Sequence, residues 1–371
     1  MKKIFTLFVL VVLMFCCSKE KSKEIRREVI DGVEHVYNPA TPKYLEKKII
    51  LNNEHEFKHE NLFRPVHIAV NSKNEVAILD RADNKINFFD AEGKLLTKIS
   101  GKGKGPGEFV YVQNFEYLKN DVLICFDPRN KRISEFMNRK FIKSSKVKGG
   151  ISRFFLIGEN EYYRKNFEQG NNYTSLFLCN YNGVIKDSLT GIKKVKTKAS
   201  YNANGQISSE IPYPILSKFT EIISNSNNNK LIVNEGNELN IKVYTGNDLQ
   251  KIIHANLDQI EIKYSDKEKL KEQYFKYDIK IEINDFLKNF PIVSSIITDD
   301  KNNLWIETAE NIKQADKGYK AYCIFNSEGE FEYKVWLGIK PLVIKNNKIY
   351  FINKEEDSGL KVVKKYDFEI N

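Results

Sequence analysis

The chain has 371 residues, 41% of them hydrophobic and 12% aromatic, with 59 Lys+Arg against 49 Asp+Glu for a formal charge of +10. The length exceeds what one small core organises but suits a single domain built from repeats, and the hydrophobic share permits a packed interior. Both signs of charge are spread along the chain without a long basic block, a pattern of solvated surface with a mild preference for polyanions.

Residues 1–17 have the form of an export segment. Lys2 and Lys3 make a positive start, and Ile4 to Phe15 is apolar apart from Thr6. That run falls short of the roughly 20 residues a membrane span needs. Cys16, Cys17 and Ser18 follow, then the polar Lys19 to Lys23. The arrangement resembles a bacterial lipoprotein signal, which implies cleavage before Cys17 (alternatively Cys16) and acylation of that cysteine. Acyl chains hold a protein on a membrane without spanning it. Export also argues against nucleic acid as a partner; the expected location is the bacterial cell envelope. Residues 18–43 read as a linker. Beyond the signal only Cys125, Cys179 and Cys323 remain, an odd set without CxxC spacing, each in an apolar run, so buried thiols are expected.

From residue 44 onward one unit recurs: an apolar run, a polar turn with Asn, and a second apolar run. The aligned residues are Asn74, Asn120, Asn160, Asn229, Asn302 and Asn347, separated by 46, 40, 69, 73 and 45 positions. The two long gaps carry insertions, and without them the period is about that of one propeller blade. A third strand follows in each unit, and Glu92-Gly93, Asn182-Gly183 and Glu328-Gly329 mark hairpins to a fourth. Four short antiparallel strands in six units predict an all-β, six-bladed β-propeller. The last unit lacks its fourth strand. The segment Tyr44–Leu51 is expected to supply it, so that an N-terminal strand closes the last blade and hides the free edges.

Of the two insertions, 195–214 is polar and reads as a surface loop. The other, 265–290, reads as helical and lies between blades four and five: Ser265 with Glu268 fits a capping box, and Leu270, Tyr274, Tyr277 and Ile281 recur at helical spacing before Pro291.

Several motifs carry a family resemblance. Gly103-x-Gly105-Pro106-Gly107-Glu108-Phe109, Asp80-x-x-x-Asn84-Lys85-Ile86 and Asp127-x-x-x-Lys131-Arg132-Ile133 resemble six-bladed propellers related to NHL repeats, and Asp31-Gly32 with Asn38-Pro39 resembles the lead of exported lipoprotein propellers. The resemblance implies a propeller that binds proteins or other polymers on one face; some relatives are hydrolases or lyases. The Gly-rich stretch lacks the Gly-Lys-Ser/Thr ending of a phosphate loop and reads as an inter-blade linker.

Candidate chemistry is sparse. His55-Glu56-Phe57-Lys58-His59 spells HExxH, but the segment before Pro65 is short and mostly polar, and the third ligand is missing, so an exposed histidine pair is expected. A channel cation such as calcium would need several convergent oxygen ligands. Asp80, Asp127 and Asp299 recur instead at turns, where Asp bonds backbone, and His67 stands alone on a first strand. No serine triad is assembled, and no catalytic, cofactor or metal residue is assigned. Arg64, Arg81 and Arg129 fall near strand ends and are the candidate basic rim for an acidic polymer or protein. The two readings are therefore a membrane-anchored binding or scaffold propeller and, as the rival, a metal-dependent hydrolase or lyase acting in the channel.

Overall fold

The computed structural model describes residues 24–39, 45–58, 62–99, 103–147, 153–165, 173–193, 197–201, 207–212, 220–225, 229–236, 238–275, 281–310, 318–355 and 359–371. Residues 1–23, with the expected export segment and Cys17, lie outside them. Two short strands come first, β1 (Arg26–Ile30) and β2 (Val33–Tyr37), followed by β3 (Ile49–Phe57).

Five four-stranded meanders and a last one of three strands then follow. Blade 1 is β4 (Pro65–Val70), β5 (Val76–Asp80), β6 (Lys85–Phe89) and β7 (Leu95–Ile99). Blade 2 is β8 (Asn114–Tyr117), β9 (Leu123–Asp127), β10 (Arg132–Met137) and β11 (Lys140–Lys146). Blade 3 is β12 (Arg153–Gly158), β13 (Glu161–Lys165), β14 (Tyr173–Asn180) and β15 (Ile185–Lys193). A separate hairpin, β16 (Thr197–Tyr201) with β17 (Ile207–Pro212), comes next. Blade 4 is β18 (Thr220–Asn225), β19 (Lys230–Glu235), β20 (Leu239–Thr245) and β21 (Asp248–Ala255), and helix α1 (Tyr264–Phe275) leaves it. Blade 5 is β22 (Val293–Thr298), β23 (Leu304–Thr308), β24 (Lys320–Phe325) and β25 (Phe331–Leu337), and blade 6 begins with β26 (Val343–Lys345), β27 (Lys348–Lys354) and β28 (Lys361–Ile370).

The fourth strand of blade 6 is β3, antiparallel to β28, so the N-terminal side of the chain closes the last blade. The closing strand runs 49–57 rather than 44–51, because Ile49 and Leu51 pack on the blade 5–6 layer and Phe57 on the blade 6–1 layer.

The ring is held by six apolar layers, one at each blade junction. The second strands show why their sequences are continuously apolar rather than alternating. On β5, Val76 and Ile78 face blade 6, whereas Ala77 and Leu79 face blade 2. A strand buried on both faces has no polar side to display.

At one end of the ring the first-to-second strand turns carry the aligned asparagines. Asn74, Asn160, Asn229, Asn302 and Asn347 all have positive φ, between 53 and 68°. In blade 2 that conformation falls to Asp121 instead of Asn120. Asn and Asp tolerate it because their short polar side chains bond nearby backbone. The same turns tie blades together: Ser72 N donates to Asp121 (2.8 Å), Asn120 to Glu159 (2.9 Å), Asn346 N to Asp300 (2.8 Å), and Asn346 Nδ2 to Asn74 (2.7 Å).

Three boundaries differ from the sequence reading. The 195–214 segment contains the β16–β17 hairpin; its apolar residues are too few to signal strands. The linker 18–43 contains the hairpin β1–β2, which adds to blade 4 through a parallel pairing of β2 with β21 and makes a six-stranded sheet. The helix starts one residue before Ser265, with the carbonyl of Lys263 accepting from Asp266 and Lys267. Its described residues end at Phe275, residues 276–280 lie outside the described set, and Ile281 packs with Ile260, Ile262, Phe286 and Phe290.

Candidate binding face

At the other end of the ring the second strands turn into the third. In blades 1 and 2 these strands end on Asp80 and Asp127, both fully buried. Asp80 accepts from the backbone N–H groups of Phe63 (2.7 Å), Arg64 (3.0 Å) and Ala82 (2.8 Å). Asp127 accepts from those of Val110 (2.7 Å), Tyr111 (3.2 Å), Arg129 (3.0 Å) and Asn130 (3.0 Å). Each carboxylate ties the segment entering its blade to its own turn. Asp299 does comparable work at the opposite end, accepting from Lys301 N, Asn303 N and the indole N–H of Trp305 (3.1 Å). The three aspartates therefore serve separate turns and do not converge.

The turns that Asp80 and Asp127 fix bring the three arginines together. Arg64 donates to the carbonyl of Arg81 (3.1 Å), and Arg81 to that of Val112. The guanidinium of Arg81 lies 4.3 Å from the ring centre of Tyr111, and that of Arg129 lies 5.1 Å from it. Both distances are within cation–π range. No carboxylate among the described residues is ion-paired with any of the three. Burial lowers the pKa of Arg81, and the charge of Arg64 adds to that effect; a guanidinium stays charged in neutral water all the same. Phe63 is largely exposed beside Arg64. Tyr111 escaped the sequence reading although it stands two residues after Phe109 of the Gly-rich motif.

That motif is already filled by the chain itself. The Glu108 carboxylate accepts from Gly105 N (2.8 Å) and occupies the space that a Cβ on Gly103 or Gly105 would need. Arg132 donates to the carbonyls of Lys104 (3.0 Å) and Glu108, and Phe109 is fully buried between blades 1 and 2. The motif is an inter-blade linker in which the Gly105 N–H holds the Glu108 carboxylate.

His55 and Glu56 lie on strand β3, so adjacent side chains point to opposite faces of the sheet; His59 lies outside the described residues. The His55 ring packs against Gly93 and edge-on to Phe57 (5.1 Å). His67 binds the carbonyl of Phe115 through Nε2 (2.8 Å), joining the first strands of blades 1 and 2. Cys125, Cys179 and Cys323 are buried free thiols, and burial pushes Cys323 up to about 12. Lys345, also missed, donates to the carbonyl of Val70 (2.9 Å) on the neighbouring first strand; burial lowers its pKa despite the nearby Asp121, Asp300 and Glu116. Among the described residues no three His, Cys, Asp or Glu side chains stand close enough to share a metal ion.

Six closed four-stranded blades define a six-bladed β-propeller. The chain belongs to the DUF5128 family, described as 6-bladed beta-propeller, whose model matches residues 55–289. Among solved structures the chain is similar to a Bacteroides fragilis protein whose name marks it as exported, at 10% identity and a TM-score of 0.52 over 91% of this chain and 99% of that one. It is also similar to a duf4221 family member from Bacteroides vulgatus (13% identity, TM-score 0.49, 89% and 99% covered) and to a virginiamycin B lyase from Staphylococcus aureus (14%, 0.41, 85% and 99%). No curated protein matches.

Proposed function

We propose that this protein is a lipid-anchored binding propeller of the cell envelope, tethered through Cys17, whose Arg64–Arg81–Arg129 face takes an acidic polysaccharide. The observation that carries the reading is the convergence of the Arg81 and Arg129 guanidinium groups on Tyr111, with Arg64 bonded to the Arg81 carbonyl and no carboxylate ion-paired with any of the three among the described residues. Each guanidinium has five N–H donors, and the internal bonds use few of them. The remainder suits the carboxylate or sulfate groups of an anionic polymer, and the exposed ring of Phe63 suits a sugar face. A rigid ring presenting such loops is a platform for recognition. The exported name of the Bacteroides fragilis neighbour agrees with an envelope location.

The test is binding of polygalacturonate and a sulfated polysaccharide to the full chain at low salt. Binding should weaken steeply with added salt, and Arg81→Ala or Arg129→Ala should each cost about tenfold, on the order of 1.4 kcal/mol. Equal binding by wild type and the double variant would refute the face. Radiolabelled palmitate incorporation lost in Cys17→Ser tests the tether separately.

A further inference from the structure

The hairpin β1–β2 is fastened to the ring on both faces of the enlarged blade 4 sheet. On one face Arg27 bonds Glu330 of blade 5 (2.9 Å) and Glu34, and Lys251 pairs with Glu34 (3.2 Å) and Glu328 (3.4 Å). On the other face Arg26 covers the ring of Tyr37 (4.3 Å), Tyr37 stacks on His254 (4.5 Å between ring centres), and His254 meets His35.

The histidine contact has a specific geometry. His35 Nδ1 is 3.0 Å from His254 Nε2, with ring centres 5.2 Å apart and planes 15° apart. That separation is close to the nitrogen–nitrogen distance plus one ring radius on each side. The rings therefore lie side by side, nitrogen facing nitrogen. His254 Nδ1 is 2.7 Å from Asn240 Oδ1, which assigns the Nδ1 proton and leaves the Nε2 lone pair facing His35. One proton fits between the two rings; a second places two N–H groups head to head and two positive charges side by side.

We propose that the His35–His254 pair is an acid-released clasp: it holds the N-terminal hairpin on blade 4 at neutral pH and lets it go in mildly acidic surroundings.

The charged groups that face the pair lie on β1 and on the β19–β20 hairpin. From β1, Glu28 stands directly across from His35 and favours protonation of His254, while Arg26 sits over Tyr37. From β19 and β20, Glu235 is paired with Lys242 (3.4 Å), and Glu238 accepts from Asn240 (3.2 Å). Burial and the charge of His35 outweigh Glu28 and lower the pKa of His254. On the opposite face the hydrogen bond from Arg27 holds Glu330 below the usual carboxylate range, so that fastening stays charged throughout. A histidine whose docked pKa is depressed stabilises docking fully above its free value of about 6.5 and loses that contribution as pH falls.

Hydrogen exchange of the full-length protein, corrected for intrinsic rates, tests the clasp. Protection of residues 33–37 should fall by up to about tenfold per pH unit below pH 6.5, while β9 and β23 keep theirs. Glu28→Gln should deepen the loss at the acidic end, because it lowers the docked pKa while the free value stays, and His254→Gln should remove it. Equal protection of the wild type at pH 7.5 and pH 5, or an unchanged pH response in both His35→Gln and His254→Gln, overturns the proposal. If either variant undocks at every pH, the imidazole resonances of the wild type decide: two coupled steps, the second below the ordinary value, support the clasp, and two independent titrations near 6.5 overturn it.

Discussion

The junction between blades 1 and 2 and the outer edge of blade 4 solve the same problem, that of holding a segment against a sheet, by different physics. At the first, buried aspartates bond several backbone N–H groups at once, a linker residue is entirely buried, and the contacts are all within the ring. At the second, a hairpin from far away in the sequence adds through one short parallel ladder, surface ion pairs and a histidine pair. The first arrangement is costly to disturb because buried donors lose their only partners. The second is cheap to disturb because water can replace most of what is lost.

The largest effect should come from the linker. Phe109→Ala empties a fully buried site in the blade 1–2 layer, where Ala77, Leu79, Phe115 and Phe136 pack together. Loss of such a phenylalanine costs about 3–5 kcal/mol, measurable as a lowered denaturant midpoint. Asp127→Ala should follow at about 3 kcal/mol, because four backbone N–H groups lose one acceptor. It should also weaken polysaccharide binding, since the turn positioning Arg129 and the segment carrying Tyr111 both hang on that carboxylate. Asp127→Asn, which keeps acceptor capacity, should recover part of the stability. If Asp127→Ala left binding intact, the link between this turn and the arginine face would be broken.

The two regions also differ in how far they could be read in advance. The ring was legible because blade junctions need two-faced apolar strands, and the turns between them need residues such as Asn74 and Asn302 that accept positive φ. Arg64, Arg81 and Arg129 could be placed near strand ends from the same pattern. The meeting of Arg81 and Arg129 at Tyr111 could not, because it depends on where the linker after Gly107 enters blade 2. The N-terminal hairpin left a trace in Asp31-Gly32, both at positive φ between the paired Ile30 and Val33, and Asp-Gly is a strong hairpin signal. Its flanks hid it: β1 exposes Val29 and Ile30 and carries Arg26, Arg27 and Glu28, so no apolar face announces a strand. Its docking site lies more than 200 positions away on β21, beyond any local pattern.

A smaller effect is expected at that edge. Asn38 donates to the carbonyl of Gly329 (2.9 Å) and accepts from Phe331 N (2.6 Å), joining the end of the hairpin to blade 5. Asn38→Ala should cost about 1–2 kcal/mol, seen chiefly as faster exchange in β2. Deleting residues 24–38 should leave a folded ring with its four-stranded blade 4. Global unfolding of that deletion would mean that the hairpin belongs to the core rather than to its margin.

The smallest effect returns to the first junction. Burial lowers the pKa of His67, which Arg81 reinforces and the hydrogen bond to the Phe115 carbonyl opposes. The folded ring therefore holds this imidazole neutral where the unfolded chain already takes a proton. Its contribution is complete above the unfolded value of about 6.5 and declines as pH falls through that value toward the lower folded one. At pH 6 the loss cannot exceed about 0.8 kcal/mol, because the unfolded chain is still only partly loaded. His67→Gln keeps a donor for Phe115 but cannot titrate, so it should flatten the stability curve between pH 7 and pH 5.5 without changing exchange in the β1–β2 hairpin. The two histidine sites are thereby separable: one tunes the ring as a whole, the other only its edge. A His67→Gln protein that kept the wild-type slope in global stability would place the titrating group elsewhere.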